Sequence, residues 1–185
     1  EVKHRLYEIR SEYRSAENRE SRRHPNLQVW PRTRQARSKV RSTYHHMFLS
    51  VAEAKKSLEK DDSLENRLDA QLLFPNVIRR LLEAFLAFRD PNTVGDFTGS
   101  MRNTTNQLEQ SGYKGDADAL RLKLTRYTHA YSHNDTPDSA AMIQPEEVRT
   151  AMAAVFLFIQ SLDPVHFEGM CQVLNLKKQD LLRGA

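Results

Sequence analysis

The sequence predicts an all-α protein: a single helical-bundle domain preceded by a basic helical extension. Three observations carry that expectation. Apolar residues recur at three- and four-residue spacing through most of the 185 positions. Asp, Ser, Pro and Gly, which start and stop helices, punctuate the segments. No run reads as a convincing strand, and no internal repeat or low-complexity linker divides the chain.

Taken in order, residues 1–21 place Val2, Leu6, Ile9 and Tyr13 at helical spacing among charges, and the two prolines of HPNLQVWPR (24–32) end that run. A long helix is expected from about Thr33 to Leu58, with Val40, Tyr44, Phe48 and Val51 on one stripe. Asp61-Asp62-Ser63 forms a cap cluster before the next helix. Pro75 then restarts the chain at the head of PNVIRRLLEAFLAF (75–88), its most apolar segment. A polar helix over roughly 96–110 closes at Ser111-Gly112, and a further helix begins near Asp116. NDTPDS (134–139) reads as a loop. PEEVRTAMAAVFLFIQSL (145–162) opens with Pro and two acids, a favourable helix start. Short helices follow Asp163-Pro164 and end near Gly184. The expected division is a basic N-terminal extension over 1–60 and a helical domain over 61–185.

Charge is unevenly placed. Residues 1–45 hold 12 Lys/Arg against 5 Asp/Glu, whereas the remaining 140 hold 16 against 19. The basic character is therefore N-terminal, densest in PRTRQARSKVR (31–41). Arg32, Arg34, Arg37, Lys39 and Arg41 suit a phosphate backbone or an acidic partner, and equally a solvated helix face. Trp30 is a candidate for stacking on a base.

Several functions are excluded by what the chain lacks. No apolar run approaches the roughly 20 residues that span a bilayer, and the charged start EVKHRLYEIR is not a signal peptide. The chain does not open on Met, so it reads as a processed product or part of a longer protein. Cys171 is the single cysteine, which rules out an internal disulfide and a Cys-paired zinc and fits a reducing cytoplasm. There is no G-x-x-x-x-G-K-[ST], no H-E-x-x-H and no G-x-S-x-G. No cofactor is expected.

RYTHAYSHND (126–135) is the densest cluster of reactive side chains. At about 100° per residue, Arg126, His129 and His133 share a stripe, while Leu120, Leu124, Tyr127 and Tyr131 form a separate core stripe. A cation beside a histidine that titrates near neutrality can hold a phosphate and move a proton. Two other readings stand beside that one. His129-x3-His133 has metal-ligand spacing but no third ligand nearby in sequence. Arg and His also complement a helix C-terminus that Asn134 could cap. On 75–88, Arg79 and Glu83 fall at the edge of the apolar face. Their order, base before acid at i, i+4, is the less favourable one for helix stability. A boundary position lets them reach a groove between helices, and a surface ion pair is the alternative. Arg80 is the more exposed neighbour.

Two of these features resemble known families. Arg126-x6-His133 looks like the R-x4-6-H motif of HEPN domains, all-α modules that include metal-independent ribonucleases. FPNVIRRLLEAFLAF, YTHAYSHN and SLDPVHFEGM together resemble the C-terminal helical part of bacterial P-loop ATPases of the RloC/PrrC type, phage-defence proteins whose ATPase controls an anticodon nuclease. This resemblance covers roughly residues 70–175. It implies a metal-independent RNA endonuclease, with tRNA as substrate, an ATPase portion or subunit as partner, and HEPN-style homodimerisation.

The resemblance matches Arg79 and Glu83 to the nuclease branch's R-x3-E pair and His133, with His129 second, to its downstream histidine. His133 would be the acid or base, Arg79 or Arg126 would hold the phosphate, and Glu83 would orient the arginine or act as the opposing base. Tyr127 and Asn134 would contact RNA. The competing expectations are a non-catalytic docking or dimerisation module of a P-loop ATPase, and a nucleic-acid-binding domain that does not cleave.

Overall fold

A computed structural model of the protein describes residues 7–14, 22–29, 42–129 and 145–185. The chain separates into two compact units, Glu1–Thr43 and Tyr44–Ala185. The basic segment 31–41 and the loop expected over 134–139 lie outside the described residues.

In the first unit the helix expected over 1–21 is replaced by a two-stranded antiparallel hairpin, β1 (Tyr7–Arg14) and β2 (Arg22–Val29). Its register pairs Tyr7 with Val29, Ile9 with Leu27 and Tyr13 with Arg23. The correction has a visible cause. Tyr7, Ile9, Ser11 and Tyr13 alternate strictly with Glu8, Arg10, Glu12 and Arg14, a period of two that the sparser helical spacing concealed. Pro25, expected to break the run, is accommodated opposite Ser11 because every strand of a two-stranded sheet is an edge. The Ile9–Leu27 pair remains well exposed.

In the second unit the all-α expectation holds. Among the described residues its helices are α1 (Thr43–Lys60), α2 (Leu64–Arg89), α3 (Phe97–Gln110), α4 (Ala117–His129), α5 (Pro145–Leu162), α6 (Pro164–Leu174) and α7 (Lys178–Leu182). Helix α5 is the hub. Val148, Ala151, Met152, Ala154, Val155, Phe156, Phe158, Ile159 and Leu162 are all buried, so most of its circumference is apolar, as suits a central helix. Phe48 of α1, Phe156 of α5 and Phe167 of α6 form an aromatic triangle with centroids 5.1, 6.0 and 6.4 Å apart. Each such burial stabilises by about 1.5–3 kcal/mol. Helix α1, assigned to the extension on sequence, is thus built into the core of this unit.

Pro75 does not restart the chain. Helix α2 runs unbroken through it. The missing N–H removes one i to i−4 bond, but Pro75 is buried with Ala70, Ile78, Leu81 and Leu82, and that packing outweighs the local defect. Helix starts follow the sequence signals closely. Asp96, Asp116 and Asp163 each accept a bond from the backbone N–H three residues on, at 2.9, 2.8 and 2.9 Å. Helix α3 ends on Gly112, whose φ of 82° reverses the chain towards α4. Asn175 caps α6 in the same left-handed region, at φ 55°. Among the described residues no helix is long and apolar enough to cross a membrane.

Candidate functional site

Three helices meet where Arg79 and Glu83 of α2 face Phe97 of α3 and His129 of α4. Arg79 Nε donates to Glu83 Oε1 at 2.9 Å. The Arg79 guanidinium stands over the Phe97 ring, 5.4 Å from its centroid. The His129 ring meets the same phenyl group at 6.0 Å with a tilt of 56°. A single buried ring is therefore the common neighbour of the arginine and the histidine.

Local sequence explains the placement. Arg79 and Glu83 flank the buried Ile78, Leu82 and Phe85, so they emerge at the rim of the core face, half-exposed. Asp96 caps α3 immediately before Phe97, which fixes that side chain in the first turn. His129 ends α4, where the buried Leu120, Leu124 and Tyr127 hold the opposite face in the core. A half-exposed ion pair contributes at most about 1 kcal/mol to folding, so stability is a weak reason for this arrangement. The bond to Glu83 uses Nε, and among the described residues the terminal guanidinium nitrogens, the fork suited to phosphate, have no hydrogen-bond acceptor.

The other site candidates are placed differently. Arg126 is mostly exposed and reaches Glu147 of α5 at 3.9 Å, beside a groove lined by Leu122, Lys123, Thr150 and Ala151. Its contacts are on the α5 side, not on Phe97. Tyr127 is only 2% exposed and belongs to the core, so its ring offers no surface to a base. His133, Asn134, Arg32, Arg34, Arg37, Lys39 and Arg41 lie outside the described residues. Among the described residues no three His, Cys, Asp or Glu side chains gather as a metal site.

Sequence reading missed two features. Phe97 carried no signal beyond its position after a capping Asp. The second is a polar cluster at the start of α1 and α6. Tyr44 Oη and His166 Nε2 lie 2.7 Å apart. Asp163 caps α6 by accepting the His166 backbone N–H, and its other oxygen accepts from Arg89 Nη1 at 3.1 Å. Burial, and then the Asp163 carboxylate, push the Tyr44 hydroxyl well above its usual range, so Tyr44 is the donor. Burial is also the main cause that lowers His166, with Asp163 opposing it, so His166 accepts as the neutral ring. The available signal was Asp163-Pro164-x-His166 inside SLDPVHFEGM, a segment noted without a role for its histidine.

Comparison with protein families adds one decisive observation. A model described as an AAA domain matches residues 3–160, which is 158 of the 185 positions. The chain belongs to the AAA domain family. Membership ties it to P-loop ATPases, as the helical segments suggested, and the matched span includes Arg79, Glu83, Phe97, Arg126 and His129. This AAA-family chain has no G-x-x-x-x-G-K-[ST] of its own, so these residues do not grip nucleotide phosphates by that motif. Comparison with curated proteins and with solved structures gives no match.

Proposed function

We propose that the helical unit is a metal-independent RNA endonuclease centre serving a P-loop ATPase of the phage-defence kind, with tRNA as the substrate class. The observation that carries this reading is the convergence of Arg79, held by Glu83, and His129 on the Phe97 ring, from helices α2 and α4. Family membership supports the ATPase association.

The reaction follows from RNA chemistry. The ribose 2′-oxygen attacks the adjacent phosphorus, its proton passes to a base, and the 2′-O–P bond forms. The P–O5′ bond breaks as an acid protonates the leaving oxygen, giving a 2′,3′-cyclic phosphate and a 5′-OH end. His129 and His133 are the groups suited to the two proton transfers near neutral pH. Arg79 neutralises charge that builds on the phosphate oxygens, and Glu83 fixes the guanidinium through their 2.9 Å bond. Arg126 provides a second cation on α4, and the basic segment from Arg32 to Arg41 a salt-sensitive hold on the RNA backbone.

A second reading, a non-catalytic module that docks an ATPase partner or a second copy, draws on the exposed Leu64, Leu68, Leu72 and Leu73 of α2. Cleavage assays separate the two. Bulk tRNA incubated with the chain in EDTA should yield discrete fragments with cyclic-phosphate ends, and alanine substitution of Arg79, and of at least one of His129 and His133, should abolish them. Intact tRNA with the unaltered chain, in the presence of an ATPase partner, favours the docking module.

A further inference from the structure

A cavity of about 230 Å³ opens directly beside the Arg79–Glu83 pair. It is lined by Glu83 and Ala87 of α2, by Thr93, Val94 and Gly95 of the connecting turn, and by Phe97 and Ser100 of α3. Its walls combine three apolar surfaces with a carboxylate and two hydroxyls. We propose that this cavity is a nucleobase subsite selective for guanine, a proposal that rests on the RNA-cleavage reading for its place in the reaction.

The polar groups decide which base it suits. Thr93 Oγ1 donates to the Asp90 carbonyl at 3.1 Å, and the Ser100 hydroxyl lies 2.7 Å from Thr93 Oγ1 and 3.2 Å from the Thr93 carbonyl. Both hydroxyl protons are therefore used within the wall, and the hydroxyls offer only lone pairs to a guest. Glu83 spends Oε1 on Arg79 and retains its second oxygen. The polar side chains of the lining thus present acceptors alone, so they favour a guest with adjacent donors. Guanine carries an N1–H and a 2-amino group side by side, donors that the second Glu83 oxygen and the hydroxyl lone pairs can accept. Adenine and cytosine offer an amino group beside an acceptor nitrogen, and uracil places its single N–H between two carbonyls.

Shape supports the same guest. The volume suits one base and is below the range typical of larger ligands. Ala87, Val94 and Phe97 supply apolar surface against which a ring can lie. Gly95 sits at φ 93°, and a Cβ there would meet nothing within 4 Å, so the turn leaves its rim open. A base held against Glu83 would bring its phosphate to the guanidinium that the same carboxylate positions.

Titrating the intact chain with guanosine, inosine, adenosine and uridine, while following the backbone amide signals of Val94, Gly95 and Ser100 by NMR, tests this without any cleavage step. Guanosine should shift these signals. Inosine, which lacks the 2-amino group, should bind roughly tenfold more weakly, and adenosine and uridine weaker still. Ala87→Leu, which fills the cavity, should abolish the response, and Glu83→Gln should remove the preference for guanosine. Equal responses to all four nucleosides, or none from guanosine, overturn the subsite. Guanosine binding without RNA cleavage keeps the subsite and removes the nuclease reading. Cleavage indifferent to guanine, with no guanosine binding, does the reverse.

Discussion

Phe97 shows how one apolar side chain can hold two polar groups in place without itself moving a proton. Its ring is nearly buried, yet it is the surface on which both the Arg79 guanidinium and the His129 imidazole rest. Phe97→Leu keeps an apolar side chain but removes the flat face. RNA cleavage is expected to fall at least tenfold, with a loss of stability within about 1.5 kcal/mol. A fall in the rate constant at unchanged RNA affinity, together with an altered pH–rate profile, distinguishes positioning from a general loss of structure.

Tyr44 and His166 make a prediction of the opposite kind, about folding. The folded state lowers His166 below its ordinary 6.5, so the unfolded chain binds the proton more readily. The contribution of the Tyr44–His166 bond is then fully present above about pH 6.5 and lost as pH falls through the lowered value. Tyr44→Phe should cost about 1 kcal/mol at pH 7.5. The difference between wild type and His166→Gln in urea denaturation should shrink between pH 7.5 and 5. The Arg79–Glu83 ion pair was legible in the sequence because its i, i+4 spacing suggested it. Tyr44, Phe97 and His166 were not, because their roles depend on neighbours up to 122 positions away.

Individual elements record how local signals compete with packing. The Asp caps of α3, α4 and α6 lay in plain sight, and those helix starts fell where expected. Asp163 combines a cap with an ion pair to Arg89, two roles that substitution can separate. Asp163→Asn retains a capping oxygen and should cost less than about 0.5 kcal/mol. Asp163→Ala loses both roles and should cost about 1–2 kcal/mol in thermal or urea denaturation. An equal cost for the two variants would assign the stability to the charge rather than the cap. Pro75 misled the sequence reading because its backbone penalty is local, whereas the burial that offsets it comes from other helices. The β1–β2 hairpin was missed for another reason. Four apolar positions in 21 residues fit a helical period, and the strict alternation from Tyr7 to Arg14 was the better fit.

For the whole molecule, the division at Thr43 predicts that a chain starting at Ser42 keeps the helical core, since Phe48, Phe156 and Phe167 lie on the same side of the division. Circular dichroism should show undiminished helix content per residue in Tyr44–Ala185 and a single cooperative melt. A broad, non-cooperative transition would mean that residues 1–43 are required for that core. Basic charge concentrated before residue 45 was legible from composition, and so was the lack of a P-loop motif. How the helices bring residues 79, 83, 97 and 129 together was not, because that depends on packing around α5.

We propose that Arg79, Glu83, His129 and His133 form a metal-independent RNA-cleaving centre. The most direct measurement incubates bulk tRNA in EDTA with the chain and with its Arg79→Ala, His129→Ala, His133→Ala and Arg80→Ala variants, then maps the fragment ends. Discrete cuts with 2′,3′-cyclic phosphate and 5′-OH termini are expected, retained by Arg80→Ala and lost, by a hundredfold or more, in Arg79→Ala and in at least one histidine variant. Cleavage undiminished in Arg79→Ala and in both histidine variants, or tRNA left intact by the unaltered chain with its ATPase partner present, would contradict it.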